Sequence, residues 1–119
     1  MIVIINEKDG LAHAVRMTLA TAGFSTILAD SAEHAIAQLR QERPELILLG
    51  DTVQSLLQQT SLLRSHPITE HVPIILQSDN YGLLNEEYRF RLGAQGVLSN
   101  SQSSASLMKS LKTFLNPAL

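Results

Sequence analysis

Four short polar stretches of this chain carry groups able to do chemistry: Asn6-Glu7, Gly50-Asp51, Ser78 and Asn100. The carboxylates of Glu7 and Asp51 are weak candidates to hold a divalent cation, which takes oxygen donors. Ser78 adds a hydroxyl and Asn100 a neutral amide. Each group also has a plain structural reading. Asp51 caps a following helix or is solvated. Glu7 is solvated or bonded to nearby N–H groups. Asn6 closes a loop, Asn100 sits in a turn, and Ser78 makes a turn at a strand end. His13 and His34 fall in helical patterns and His66 and His71 in a loop, and all four are read as surface residues. With no cysteine, disulfides, zinc-thiolate sites and thiol nucleophiles are excluded.

These groups share a site only if the surrounding elements bring them together. Ile2 to Ile5 is a short β-branched run, and Leu46 to Leu49 is apolar without alternation, as in a strand buried on both faces. Phe24 to Ala29, Val72 to Gln77 and Gly96 to Ser99 complete five predicted strands, with Pro73 tolerable at a strand start. Helical spacing connects them. Leu11, Val15, Thr18, Leu19 and Ala22 form the first stripe, with Asp9 as its N-cap and Gly23 as its stop. Ser31 caps the second helix, whose face is Ala32, Ala35, Ile36 and Leu39 and which ends before Pro44. Val53, Leu56, Leu57, Thr60 and Leu63 form the third stripe, and Leu84 to Leu92 the fourth helix. Leu107, Met108, Leu111, Phe114 and Leu115 form the last. Strands alternating with helices predict right-handed crossovers and an α/β fold: a doubly wound, five-stranded parallel sheet, flavodoxin-like, in the order 2-1-3-4-5. In such sheets chemistry gathers at the carboxyl ends of the strands, where the four polar stretches fall.

Composition narrows the function classes. The chain of 119 residues, 45% hydrophobic and 17% charged, suits a single soluble domain. A net charge of -2 with no basic run argues against direct nucleic-acid binding. No targeting segment is visible and no apolar run could span a bilayer, so the expected compartment is the cytoplasm, with no membrane partner. The loop Asn6 to Gly10 has one glycine and two acids, which would repel a phosphate, and no G-x-G-x-x-G or P-loop is present. That weighs against a nucleotide- or flavin-binding domain. No G-x-S-x-G elbow suggests a hydrolase.

Arg43 to Asp51, RPELILLGD, resembles the central strand of the bacterial response-regulator receiver domain, whose usual form is RPDLVLLD. The likeness extends in order over nearly the whole chain. VPIILQS, Val72 to Ser78, is similar to the family's Pro-led fourth strand ending in Thr or Ser. GAQGVLSNS, Gly93 to Ser101, is similar to GADDYLTKP, and RSHPITEHVP, Arg64 to Pro73, to the RADPxxxxIP loop. The departures fall on the reacting groups. Receivers accept a phosphoryl group on the strand-three Asp, hold Mg²⁺ with paired acids after strand one, and neutralise charge with a strand-five Lys. The matching residues are Gly50, Asn6-Glu7 and Asn100. The aromatic that reports phosphorylation in receivers corresponds to Val97, which is stiff and short.

The resemblance therefore implies a degenerate member, a pseudo-receiver of two-component signal transduction, not an enzyme and without a cofactor. It would act through a protein partner or an attached output domain, the module 1–119 then being the N-terminal part of a longer chain. Tyr88, Arg89, Arg91 and Val97 mark the expected partner surface, on the face of the fourth helix, fifth strand and last helix. That face is open to homodimer formation as well. The alternative is an active receiver in a phosphorelay, phosphorylated with Mg²⁺ at Asp51, one residue past the usual position and dependent on a local bulge to face the site.

Overall fold

The computed structural model of the chain describes residues 1–6, 9–50, 56–78, 91–98 and 104–115. Five strands form one sheet: β1 (Ile2–Ile5), β2 (Thr26–Ala29), β3 (Leu46–Gly50), β4 (Ile74–Gln77) and β5 (Gly96–Leu98). All pairings are parallel and the order is β2-β1-β3-β4-β5. The predicted architecture is thus the observed one. Every residue of β1, β3 and β4 is buried, as unalternating apolar strands require when helices cover both faces.

The described helices are α1 (Asp9–Thr21), α2 (Ala32–Leu39), α3 (Leu56–Ser65) and α4 (Ser104–Leu115). Alternation along the strands divides the core in two. Val3, Ile5, Ile47, Leu49, Ile74 and Leu76 pack with Ala35 and Leu39 of α2 and Leu63 of α3. Ile2, Ile4, Leu46, Leu48 and Ile75 pack with Val15 and Leu19 of α1 and Leu107 and Leu111 of α4. Ser31 caps α2 as predicted, its Oγ accepting from His34 N at 3.1 Å. Gln59 Oε1 of α3 accepts from Ala32 N at 2.6 Å, so a neighbouring helix supplies a second acceptor there.

Several local expectations need correction. Asp9 is the first helical residue, not the cap before it. Strand β2 starts at Thr26, since Phe24 N donates back to Leu19 O at 3.0 Å and closes the helix end instead. Strand β4 starts at Ile74, after Pro73. Ala22 lies past the end of α1 and is exposed; Ala12 takes the inner position, 5% accessible. Leu57 is 57% accessible. The buried stripe of α3 is Thr60 and Leu63 with Leu56 packed beside it, and Leu57 is one residue, or about 100° around the helix, from Leu56. Val53, Leu84 and the fourth helix up to residue 90 lie outside the described residues. No described helix is long and apolar enough to cross a membrane.

Candidate functional site

The carboxyl ends of β1, β3 and β4 form the described part of the rim. Because Ile5 pairs with Leu49 and Gly50 with Gln77, the next row across the sheet is Asn6, Gly50, Gln77 and Leu98. By alternation this row belongs to the face covered by α1 and α4, continuing Ile4, Leu48 and Ile75. Asn6 is 5% accessible, and its N–H donates to Ala29 O at 3.0 Å. Ser78, one residue beyond the row, is 4% accessible, with its N–H on Leu98 O at 2.8 Å. Of the residues expected at the rim, the structure brings Asn6 and Gly50 into direct contact and places Ser78 at the adjoining strand end. Glu7, Asp51 and Asn100 lie outside the described residues.

The contact between Asn6 and Gly50 decides what position 50 can carry. A Cβ built on Gly50 would lie 2.6 Å from Asn6 Nδ2 and 2.8 Å from its Cγ. Real carbon atoms do not approach that closely. The amide of Asn6 therefore occupies the space through which any side chain at position 50 would leave the backbone. That position 50 carries no side chain was legible in the sequence; the packing of the Asn6 amide against it was not.

Gln77 was also missed. It ends β4 beside Gly50, is 3% accessible, and its Oε1 is buried with no hydrogen-bond partner among the described residues. A buried orphan acceptor costs free energy that an apolar group of similar shape does not. Gln77→Met should accordingly raise stability by about 1 kcal/mol, read as a higher urea midpoint at unchanged slope. An unchanged or lower midpoint would show that Oε1 is satisfied in solution.

The described side-chain donors at the rim are the amides of Asn6 and Gln77 and the hydroxyl of Ser78, with no carboxylate among the described residues there. Magnesium takes near-octahedral oxygen coordination and is usually anchored by one or two carboxylates. Asn6 is turned onto Gly50, and Glu7 and Asp51, the carboxylates expected to hold a cation, lie outside the described residues. Among the described residues no group of three His, Cys, Asp or Glu could hold a metal. His13, His34 and His71 are exposed and His66 is half-buried; His34 Nδ1 lies 3.2 Å from Asp30 Oδ1.

On the expected partner face, Arg91 is exposed on the helical turn before Gly93. Val97 pairs with Leu76 and is half-buried, packing one side against the core from β5. Tyr88 and Arg89 lie outside the described residues.

At the opposite end of the sheet a single cation organises three segments. Arg64, near the end of α3, donates through Nη1 to Val72 O at 2.7 Å and Glu70 O at 3.1 Å. Its Nη2 reaches Gly93 O at 2.7 Å and Gln95 Oε1 at 3.3 Å. Gln95 Oε1 also accepts from Ile74 N at 2.7 Å. Gly93 has φ +71, and a Cβ there would lie 3.2 Å from Arg64 Nε. It is thus both a left-handed helix terminator and a place of close approach. Burial holds the Arg64 guanidinium below its ordinary pKa.

No protein-family model and no curated protein matches this sequence. Solved structures do match by shape. The chain is similar to the receiver domain of a sensor histidine kinase from Pseudomonas aeruginosa, described with a magnesium ion coordinated in its active site cleft. The TM-score is 0.81 at 18% identity, covering 96% of this chain and 95% of that one. It is equally similar to the chemotaxis response regulator CheY4 of Vibrio cholerae, with TM-score 0.83 at 18% identity over 96% and 97% of the two chains. The receiver domain of NtrX from Brucella abortus gives TM-score 0.80 at 20% identity over 99% and 100%. In a longer NtrX structure the match spans 26% of that chain. The fold is therefore the CheY-like, flavodoxin-type fold of receiver domains.

Proposed function

We propose that this domain is a receiver-like regulatory module of two-component signalling that works through protein–protein contact without accepting a phosphoryl group. The observation that carries the reading is the Asn6 amide packed against Gly50, its Nδ2 only 2.6 Å from where a Cβ at position 50 would sit. Phosphoryl transfer to a carboxylate depends on a positioned nucleophile, a bridging Mg²⁺ and a cation for the developing charge. In this chain Gly50 and Asn6 stand at two of the corresponding positions and Asn100 at the third. A half-buried Val97 adds no rotameric switch. An attached output domain, as in NtrX, or a separate protein would then be what the module regulates. The cytoplasm is its expected compartment.

The test is chemical. The domain is incubated with phosphoramidate and Mg²⁺ and its intact mass is followed, with Asp51→Asn in parallel. The expected result is no gain of a phosphoryl group in either protein. A Mg²⁺-dependent gain present in the parent and lost in Asp51→Asn would overturn the proposal and make Asp51 the acceptor.

A further inference from the structure

At the end of the sheet away from the rim, the C-terminus of α2, the approach to β3 and the turn after α3 enclose a cleft of about 580 Å³. Its aliphatic wall includes Ile36 and Ile68, both packed against the core, and its polar lining includes Arg40, Arg43 and His66. Arg40 has φ 47 and Gln41 φ 74, two consecutive non-glycine residues in the left-handed region. Each such residue costs roughly 1 kcal/mol or more, and glycine would avoid the cost. The strain sets the path of the chain along the edge of the cleft.

The charges of this cleft are not neutralised by the domain itself. Among the described residues neither Arg40 nor Arg43 forms an ion pair. No acid lines the cleft among the described residues. The Glu45 carboxylate is 2.6 Å from the Met1 amino group, Glu70 lies 3.7 Å from His71, and Glu42 is exposed outside the lining. His66 Nδ1 accepts from Ile68 N at 3.3 Å, which leaves Nε2 as the protonated nitrogen of the neutral ring. The result is a cationic, donor-rich mouth over an aliphatic wall on a domain whose net charge is -2.

We propose that this cleft binds an acidic segment of a protein partner, its carboxylates on Arg40 and Arg43 and an aliphatic side chain against Ile36 and Ile68. Arginine forks suit carboxylates. No described residue lining the cleft is Phe, Tyr or Trp, and two arginines beside an aliphatic wall match a short acidic segment with one apolar side chain better than a long phosphate backbone. The proposal is independent of whether the rim carries phosphoryl chemistry, since it concerns the other end of the sheet.

The test is a titration of the ¹⁵N-labelled domain with the acetylated, amidated peptide Glu-Asp-Leu-Glu-Glu. Saturable amide shifts are expected at Arg40, Gln41, Arg43 and Ile68, weakening as salt is added. The double variant Arg40→Glu/Arg43→Glu should bind about tenfold more weakly or worse. Arg43→Gln serves as a milder variant if the double variant unfolds at a lower temperature. Replacing the peptide's leucine by glycine should also weaken binding. Absence of saturable shifts, shifts centred elsewhere, or equal binding by the arginine variants would overturn the proposal. So would equal shifts at these amides from inorganic phosphate or from a DNA oligonucleotide.

Discussion

Gly50→Ala should lower the stability of this domain by about 2 kcal/mol. The sign is the informative part. Gly50 has no positive φ and sits in a central strand, where alanine would ordinarily gain about 0.5–1 kcal/mol by restricting the unfolded chain. The added methyl instead meets Asn6 Nδ2 at 2.6 Å, and Asn6 is itself buried, with 5% accessibility. The amide must move within a packed interior or the strands must part. Removing the obstacle should reverse the effect, so in an Asn6→Ala background the same Gly50→Ala change should be neutral or stabilising. Chemical unfolding of the two single variants and the double variant gives the coupling directly. Additive effects would show that the Asn6 amide does not occupy this space in solution.

That coupling marks the boundary of what the sequence makes legible. The strand Leu46 to Leu49 is unambiguous because a run without polar alternation has few other places to go. Proline and glycine punctuation between the runs then yields five strands in the order found. Fine positions on helices were harder. Leu57 fits an apolar stripe as well as Leu56 does, and only the packing of Thr60 and Leu63 shows which of the two faces the core. The contents of the rim depend on register across strands. Asn6 meets Gly50 because β1 and β3 align Ile5 with Leu49, residues far apart in the chain. Gln77 read as an ordinary polar strand end, and only its place between β3 and β5 reveals that it is buried. Arg64 was legible only as the first residue of a loop pattern, and its bonding role was not, since its partners are mostly backbone carbonyls.

Arg64→Met should cost about 3 kcal/mol, more than Gly50→Ala. Methionine retains much of the aliphatic stem, so packing changes little. The loss is in hydrogen bonds from a charged donor, each worth roughly 1.5–3 kcal/mol when intact and not additive. Val72 O and Gly93 O, both at 2.7 Å, lose their guanidinium partner together. Arg64→Lys should recover only part of the loss, because one ammonium cannot address both carbonyl groups with the planar fork. Urea denaturation measures both variants. A cost below about 1 kcal/mol for Arg64→Met would mean that the network is a surface ornament rather than a clamp.

The interlock at Asn6 and Gly50 also bears on which sequences this chain can reach one substitution at a time. Any residue placed at position 50 meets the amide before it gains a chemical role. Vacating position 6 first leaves a buried gap with nothing to fill it, itself a destabilising step. A side chain at position 50 is therefore most accessible through paired change, or through a lineage carrying enough spare stability to cross the intermediate. Packing alone therefore holds the two positions together, so change at either one by itself should be rare among close descendants of this chain.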